Sequence, residues 1–145
     1  MFSGRVLAIN IDSRKGNKPA YKIDPLGGYE VVNFEFGKDT EVFRSCSLQW
    51  QNQYYVFGGY NKKRQVSMVN GNRLEQKATL DFEFKEGTCS ILNQNILVLC
   101  FDWDEAKMCR QSNNPLGSFK KLPSSNYDHR RIRIASFDGE NTNLL

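Results

Sequence analysis

The sequence predicts an all-β protein made of short antiparallel strands. Runs rich in aromatic and β-branched residues alternate along the chain with turn segments rich in Gly, Asn and Pro. No segment of about ten residues or more carries apolar side chains at helical spacing. The 145 residues, 39% of them hydrophobic and 12% aromatic, are enough to bury the core of one domain and exclude a disordered tail.

The first part of the chain predicts three strands. They cover residues 6–12, 20–23 and 29–36. A charged turn that begins at Ser13 separates the first two strands. The second turn is Asp24-Pro25-Leu26-Gly27-Gly28, in which Pro presets one turn dihedral and Gly permits another.

The next stretch, residues 44–60, predicts the β-hairpin around which the rest of the chain is arranged. In order, it contains an apolar strand through Cys46 and Leu48, a polar turn at 51–53, a strand at 54–57 and the stop Gly58-Gly59. Strands at 65–69 and 74–84 follow, joined by the turn at 70–72.

The second half of the chain predicts five more strands. They cover residues 89–92, 95–101, 107–111, 119–122 and 129–137. The run at 95–101 is the most apolar in the chain. The last strand leads into the turn signal Asp138-Gly139, after which the sequence predicts no paired strand.

Short words of the sequence recur at a spacing close to 45 residues or twice that. Phe34-Glu35-Phe36 returns at 82–84, Cys46-Ser47 at 89–90, and Pro25-Leu26-Gly27 at 115–117. A unit of about 45 residues with four short strands is typical of a β-propeller blade. Chance matches between short words in an antiparallel β-protein are the alternative explanation.

Two longer segments resemble the kelch repeat. Tyr55-Val56-Phe57-Gly58-Gly59 is similar to the apolar strand and double glycine of that family. The segment from Phe119 to Arg131 is similar to the link between its blades. The equivalent strand Val98-Leu99-Cys100-Phe101 lacks the double glycine. The resemblance implies four-stranded antiparallel blades in a partial, open kelch-like β-propeller.

The resemblance also implies a blade phase. It gives a partial blade at 5–36, whole blades at 43–84 and 87–123, and the inner strand of a next blade at 129–137. So few blades cannot close a ring, which normally has about four to eight. The chain is therefore expected to be a fragment of a larger propeller protein or one half of an assembly, with open edges that invite a partner.

Four cysteines allow three disulfide pairings. If Asp104-Glu105 is a two-residue hairpin loop, Cys100 faces Cys109 at a non-hydrogen-bonded position, where side chains approach most closely. We expect a disulfide there, with two buried free thiols as the alternative. Cys46 and Cys89 occupy equivalent positions in neighbouring blades and are expected to be too far apart to bridge. The predicted disulfide would favour an extracellular location, and its absence a cytoplasmic one.

Charge and composition argue against several classes of function. The net charge is +4, and the cations cluster at turns without interleaved stacking aromatics, which disfavours nucleic-acid binding. No apolar run approaches the roughly 20 residues that span a bilayer. The acidic turn of Asp102, Asp104 and Glu105 lacks the spacing of a calcium loop and is expected to be a solvated hairpin tip. His129, the only histidine, is expected at the surface or a blade junction, so no catalytic residue, metal or cofactor is predicted.

The predicted function is binding rather than catalysis. We expect a non-catalytic protein-interaction module whose loops contact a partner protein. The candidate contact residues are basic or aromatic and lie at predicted turns: Arg14, Lys15, Tyr60, Lys62, Arg64 and Trp103. The alternative is an extracellular carbohydrate-binding or matrix module with Trp50, Tyr54 and Trp103 as stacking platforms, although the core is the more natural place for Trp50.

Overall fold

The structure consists of antiparallel β-sheets. The computed structural model describes residues 6–8, 20–24, 26–32, 44–93, 95–130, 134–137 and 141–144. These residues form strands and no helix, so the predicted all-β class is confirmed. The strands are β1 (Val6–Ala8), β2 (Ala20–Ile23), β3 (Tyr29–Val32), β4 (Cys46–Trp50), β5 (Gln53–Phe57), β6 (Gln65–Asn70), β7 (Arg73–Thr79), β8 (Thr88–Leu92), β9 (Ile96–Cys100), β10 (Cys109–Ser112), β11 (Lys120–Lys121), β12 (Ile134–Phe137) and β13 (Asn141–Leu144).

Each sheet is a meander in which every strand pairs with its neighbour in the chain. In the described residues the sheets are β1-β2-β3, β4-β5-β6-β7, β8-β9-β10-β11 and β12-β13. We call β4–β7 the first four-stranded sheet and β8–β11 the second. Between sheets, β8 lies next to both β4 and β12. The opening strands of three successive sheets are therefore neighbours.

Several strand predictions need correction. Residues 129 and 130, predicted to open the strand at 129–137, are not in a strand, and β12 covers Ile134–Phe137. The strand predicted at 107–111 begins at Cys109, because the Met108 amide donates to the Glu105 carbonyl in the preceding turn.

The strand predicted at 74–84 ends at Thr79. Beyond it the chain turns back along the β5–β6 loop, because the Leu80 amide donates to the Arg64 carbonyl and the Phe84 amide to the Lys63 carbonyl. A strand does follow the Asp138-Gly139 turn signal, since β13 pairs with β12 over four residue pairs.

The β4–β5 hairpin is closed by a tighter turn than predicted. Trp50 pairs with Gln53, so the loop is Gln51-Asn52 and β5 begins at Gln53. Both loop residues have positive φ, 45° and 64°. Two consecutive positive φ angles are the mark of a type I′ turn, whose twist matches that of the flanking strands.

The repeated Pro-Leu-Gly word forms the same turn in two sheets. The Leu26 amide donates to Asp24 Oδ1 (2.9 Å), and the Leu116 amide donates to Asn114 Oδ1 (3.0 Å). Both are Asx turns, in which a side-chain oxygen replaces a backbone acceptor. One joins β2 to β3 and the other β10 to β11, so the word marks the turn between the last two strands of a sheet. Pro25 lies outside the described residues, and so does the first copy of the Phe-Glu-Phe word at 34–36.

Backbone hydrogen bonds outside the strands repeat between the two four-stranded sheets. For four such hydrogen bonds of the first sheet, the acceptor has a counterpart 43 residues later in the second sheet, and the donor has one 43 or 45 residues later. Each bond of the first sheet is given before its counterpart, with the donor amide before the acceptor carbonyl: Gln65 to Lys62 with Met108 to Glu105; Gly58 to Gln65 with Phe101 to Met108; Phe84 to Lys63 with His129 to Ala106; and Leu80 to Arg64 with Ser125 to Lys107. The internal repeat therefore extends to loops whose sequences share no word.

The main core lies between the two four-stranded sheets. Its buried members are Trp50, Tyr55, Phe57, Val66, Leu80, Phe84, Cys89, Leu97, Leu99 and Phe119. The position of Trp50 in the core is as expected. The alternate residues of β9, Val98 and Cys100, are buried with Phe101 in a second cluster on the other face. Burial on both faces explains why residues 95–101 form the most apolar run of the chain.

The structure contains two disulfides and no free cysteine. Cys100 pairs with Cys109 across β9 and β10, in the predicted register, and the two are bridged. The prediction that Cys46 and Cys89 are too far apart is wrong. Their Cα atoms are 5.9 Å apart because β4 and β8 lie side by side where the two sheets meet, so the bridge joins one sheet to the other.

A loop face as the candidate functional site

The candidate site is the end of the two four-stranded sheets at which most predicted contact residues lie. Because the strands alternate in direction, the β5–β6 loop, the β9–β10 loop and the links that follow β7 and β11 all emerge there. We call this surface the loop face; it comprises residues 44–45, 58–64, 80–87, 101–108 and 122–130. The Cys46–Cys89 bridge holds the starts of β4 and β8 together at this end.

Two loops of the loop face are fixed to the link between them. On one side the Gly59 amide donates to the Phe84 carbonyl (2.9 Å). On the other side the Trp103 amide donates to the Lys85 carbonyl (3.0 Å), and the Lys85 amide donates to Asp102 Oδ2 (2.6 Å). Both loops are therefore held on one backbone frame.

The structure brings four predicted contact residues to this face. Tyr60 is 53% exposed, and Arg64 is exposed, whereas Lys62 is half-buried. Trp103 is also half-buried, and the Arg130 guanidinium lies 5.6 Å above its ring while Arg130 Nε donates to the Trp103 carbonyl. Arg14 and Lys15 lie outside the described residues.

Sequence reasoning missed two residues of the same face. Tyr127 is 75% exposed, the most exposed aromatic side chain of the described residues. Arg130 covers Trp103 from the β11–β12 link. Both lie in the segment 119–131, which the sequence predicts as a link rather than as a contact surface. Their residue types are the sequence signal that could have identified them, because aromatics and arginines in links are as good contact candidates as those in loops.

The prediction of a solvated acidic hairpin tip is wrong for Asp102. Its side chain is 3% exposed and accepts hydrogen bonds from the Lys85 and Asp104 amides. The turn itself lies further on, where the Met108 amide donates to the Glu105 carbonyl. The carboxylate thus organises the backbone from inside. Among the described residues no group of three acidic, His or Cys side chains could hold a metal ion.

Ion pairs on the loop face leave part of its charge uncompensated. Lys63 Nζ lies 3.1 Å from Glu83 Oε2, and Lys85 Nζ lies 3.0 Å from Asp104 Oδ2. The hydrogen bond to Asp104 raises the pKa of Lys85 above its ordinary value, against the opposing effect of burial. Lys62 and Arg64 contact no carboxylate within the part of the chain that the structure describes.

Two cavities open on the loop face. The inner cavity, of about 470 Å³, lies between the starts of β4 and β8 and is lined by Arg44, Ser45, Cys46, Ser47, Glu86, Gly87 and Thr88. Arg44 and Glu86 form an ion pair at its rim. The outer cavity, of about 420 Å³, lies beside the basic loop and is lined by Asn61, Lys62, Lys63, Arg64, Gln65, Gln76, Thr79 and Glu83.

Neither the pair Cys46 and Cys89 nor Trp50 is available for the chemistry that these residue types could offer. A Cys–His nucleophile would need a thiolate, yet Cys46 and Cys89 are bonded to each other. His129 instead packs its ring 4.6 Å from that of Phe101, at the junction of loop and link. Trp50, one of the proposed sugar platforms, is 6% exposed and cannot stack on a ligand.

A membrane span is also unsupported by the described residues, where no helix is long and apolar enough to cross a bilayer. Comparison of the chain with models of protein families finds no match, and a search of curated proteins finds none either.

Proposed function

We propose that this chain is a non-catalytic protein-interaction module of the kelch-like β-propeller type, part of a larger propeller, that binds a partner protein through the loop face. Three features support a propeller. Two of the described sheets are four-stranded meanders, the opening strands β4 and β12 both lie next to β8, and the loop hydrogen bonds recur from one four-stranded sheet to the other. Blades arranged around an axis have these properties.

The observation that carries the binding function is the placement of Tyr60 and Trp103. Each lies in a loop that is hydrogen-bonded to the same link, at Phe84 and Lys85. Aromatic side chains on a rigid frame lose little conformational entropy on binding, and they dominate many interfaces. The exposed Tyr127 and Arg130 extend the same surface.

The two disulfides support an extracellular location for this function. Disulfides persist in oxidising compartments and are rare in the cytosol. One of them joins the two sheets that carry the loop face, and the other lies at the base of the β9–β10 loop. Reduction would therefore loosen the proposed binding surface.

The test is crosslinking from the loop face. A photoreactive phenylalanine analogue at position 60 should capture a partner from the fluid or extract in which the protein occurs, and the double variant Tyr60→Ala, Arg64→Ala should bind that partner at least about tenfold more weakly. Arg73→Ala, at the β6–β7 turn on the opposite end of the sheet, is the matched control. Equal loss in the control, or no loss in the double variant, would contradict the proposal.

A further inference from the structure

We propose that the loop face binds an acidic segment of its partner at a basic notch formed by Lys62, Lys63 and Arg64. The inference rests on the proposed function and adds the chemistry of the partner. It follows from the charge balance of the loop face, from the shape of the surface beside the β5–β6 loop, and from the aromatic residue next to it.

Charge is the first argument. The basic notch holds three consecutive cations, and among the residues that the structure describes only Lys63 has a carboxylate partner, Glu83. Elsewhere on the described loop face Lys85 and Arg130 are paired with Asp104 and Asp128, whereas Lys107 donates to the Asn126 carbonyl and has no carboxylate partner. Lys62 and Arg64 are thus the place where two uncompensated cations lie close together in the sequence, and a partner carboxylate there can add two ion pairs without breaking one.

Shape is the second argument. The outer cavity of about 420 Å³ opens directly on Lys62 and Arg64, and amide and hydroxyl groups of Gln65, Gln76 and Thr79 line its remaining wall. These groups can donate hydrogen bonds to a carboxylate or to a peptide backbone. Tyr60 stands two residues before the first cation and is 53% exposed, so an apolar side chain of the same segment has a surface to pack on.

The same observations favour a peptide over a sulfated glycan or a nucleic acid. Polyanions of those classes carry a charge on every unit and are bound by extended arrays of cations. The basic notch offers two uncompensated cations, and the Glu83 carboxylate forms part of its wall. A glutamate- or aspartate-bearing segment, with charges separated by neutral residues, matches this spacing of charge.

The experiment uses the intact, oxidised chain and defined probes. A short fluorescein-labelled peptide in which glutamates alternate with tyrosine and serine is titrated with the protein, and fluorescence anisotropy reports binding. The same peptide with glutamine in place of every glutamate, a heparin-derived oligosaccharide and a single-stranded oligonucleotide are the competitors. The protein variants are Lys62→Glu with Arg64→Glu, and the matched control Lys22→Glu with Lys120→Glu, two exposed lysines in β2 and β11.

The proposal expects the glutamate peptide to bind and the glutamine peptide to bind about two- to thirtyfold more weakly, the range that two exposed ion pairs account for. Reversal of charge at 62 and 64 should produce a similar loss, the control should retain affinity, and added salt should weaken binding. Equal binding of both peptides, equal loss in both variants, or preferential binding of heparin or the oligonucleotide would overturn it. Failure here with position-60 crosslinking intact would reject the acidic segment and leave the interaction module standing.

Discussion

The two four-stranded sheets follow the same chain path but have different residues at one backbone position with a positive φ. Gly58 follows the second strand of the first sheet with φ 61°, and Phe101, 43 residues later, follows the second strand of the second sheet with φ 58°. A Cβ on Gly58 would lie 1.9 Å from the Phe84 carbonyl oxygen. In the second sheet the residue that corresponds to Phe84 is His129, whose ring packs against Phe101.

This difference separates two roles that a glycine can have. The left-handed conformation occurs in both sheets, and in both the amide of this residue donates across the loop, to the carbonyl of Gln65 at the start of β6 and to that of Met108 just before β10. Phe101 shows that a side chain can adopt it at a cost of about 1 kcal/mol. Only the close approach of Phe84 makes the glycine in the first sheet obligatory. Gly58 therefore reflects a packing requirement of the first sheet, and the lack of a glycine at the matching position of the second sheet does not weaken the repeat.

The largest predicted effect concerns the bond between the sheets. Replacing Cys46 and Cys89 with alanine opens a loop with a sequence separation of 43, whereas replacing Cys100 and Cys109 opens one of 9. The chain-entropy relation gives losses of about 4 and about 2.7 kcal/mol in the free energy of unfolding. Urea unfolding monitored by tryptophan fluorescence measures both. If the Cys100–Cys109 variant were the less stable, the bridge between sheets would not hold the fold in the way proposed.

Gly58→Ala should lower the free energy of unfolding by about 3 kcal/mol or more, since the new Cβ strikes backbone rather than a movable side chain. Gly71→Ala provides the control. Its φ is 60°, and nothing lies within 4 Å of the added Cβ, so it should cost only about 1 kcal/mol. Equal losses in the two variants would mean that conformation alone, and not the approach of Phe84, selects glycine at position 58.

The sequence predicted what depends on local pattern and left out what depends on contacts between sheets. Alternating residues and turn signals located most of the strands, and the face-to-face register of Cys100 and Cys109 followed from counting back from a turn. The Cys46–Cys89 contact could not be counted in this way, because it depends on the angle at which two sheets meet. The spacing of 43 residues along the sequence predicts that Cys46 and Cys89 are far apart, although the opening strands β4 and β8 lie side by side.

The candidate site divides along the same line. Turn position and side-chain type identified Tyr60, Arg64 and Trp103 correctly as loop residues. Asp102 was misplaced in solvent because its partner, the Lys85 amide, is 17 residues away in the sequence. A carboxylate that accepts hydrogen bonds from distant backbone looks the same in sequence as one at an exposed tip, so burial of this kind needs the fold.

Asp102 lies 43 residues after Gly59 and takes its place in the second sheet. The two residues fix the same link in different ways. Gly59 fixes the link with its own amide, whereas Asp102 does so with its carboxylate. Asp102→Ala should therefore cost about 2 kcal/mol of unfolding free energy, the value expected when a buried acceptor of two backbone amides is lost.

The same variant should shift Trp103 fluorescence to longer wavelength, because the loop that carries Trp103 would separate from Lys85. Trp50, the other tryptophan, is buried in the core and reports global unfolding instead, so a Trp50→Phe background isolates the signal. An unchanged spectrum together with full stability would show that the Trp103 amide is sufficient to hold the link.

The smallest effect lies at the outer strands, where the sheets differ in charge. In β7, Glu75 accepts hydrogen bonds from Lys77 and Asn70, and these lower the pKa of its carboxyl, with Lys77 as the largest cause. The outer strand of the second sheet, β11, contains only Lys120 and Lys121.

Lys77→Met should therefore raise the pKa of Glu75 towards its ordinary value, as measured by NMR titration of the side-chain carboxyl. Because a depressed pKa stabilises the folded state above the unfolded pKa and this stabilisation is lost as the pH falls through the folded pKa, the variant should differ from wild type at neutral pH and converge with it in acid. Lys120→Met should leave the titration of Glu75 unchanged, and a shift there would mean that the net charge of the chain, rather than the local pair, sets this pKa.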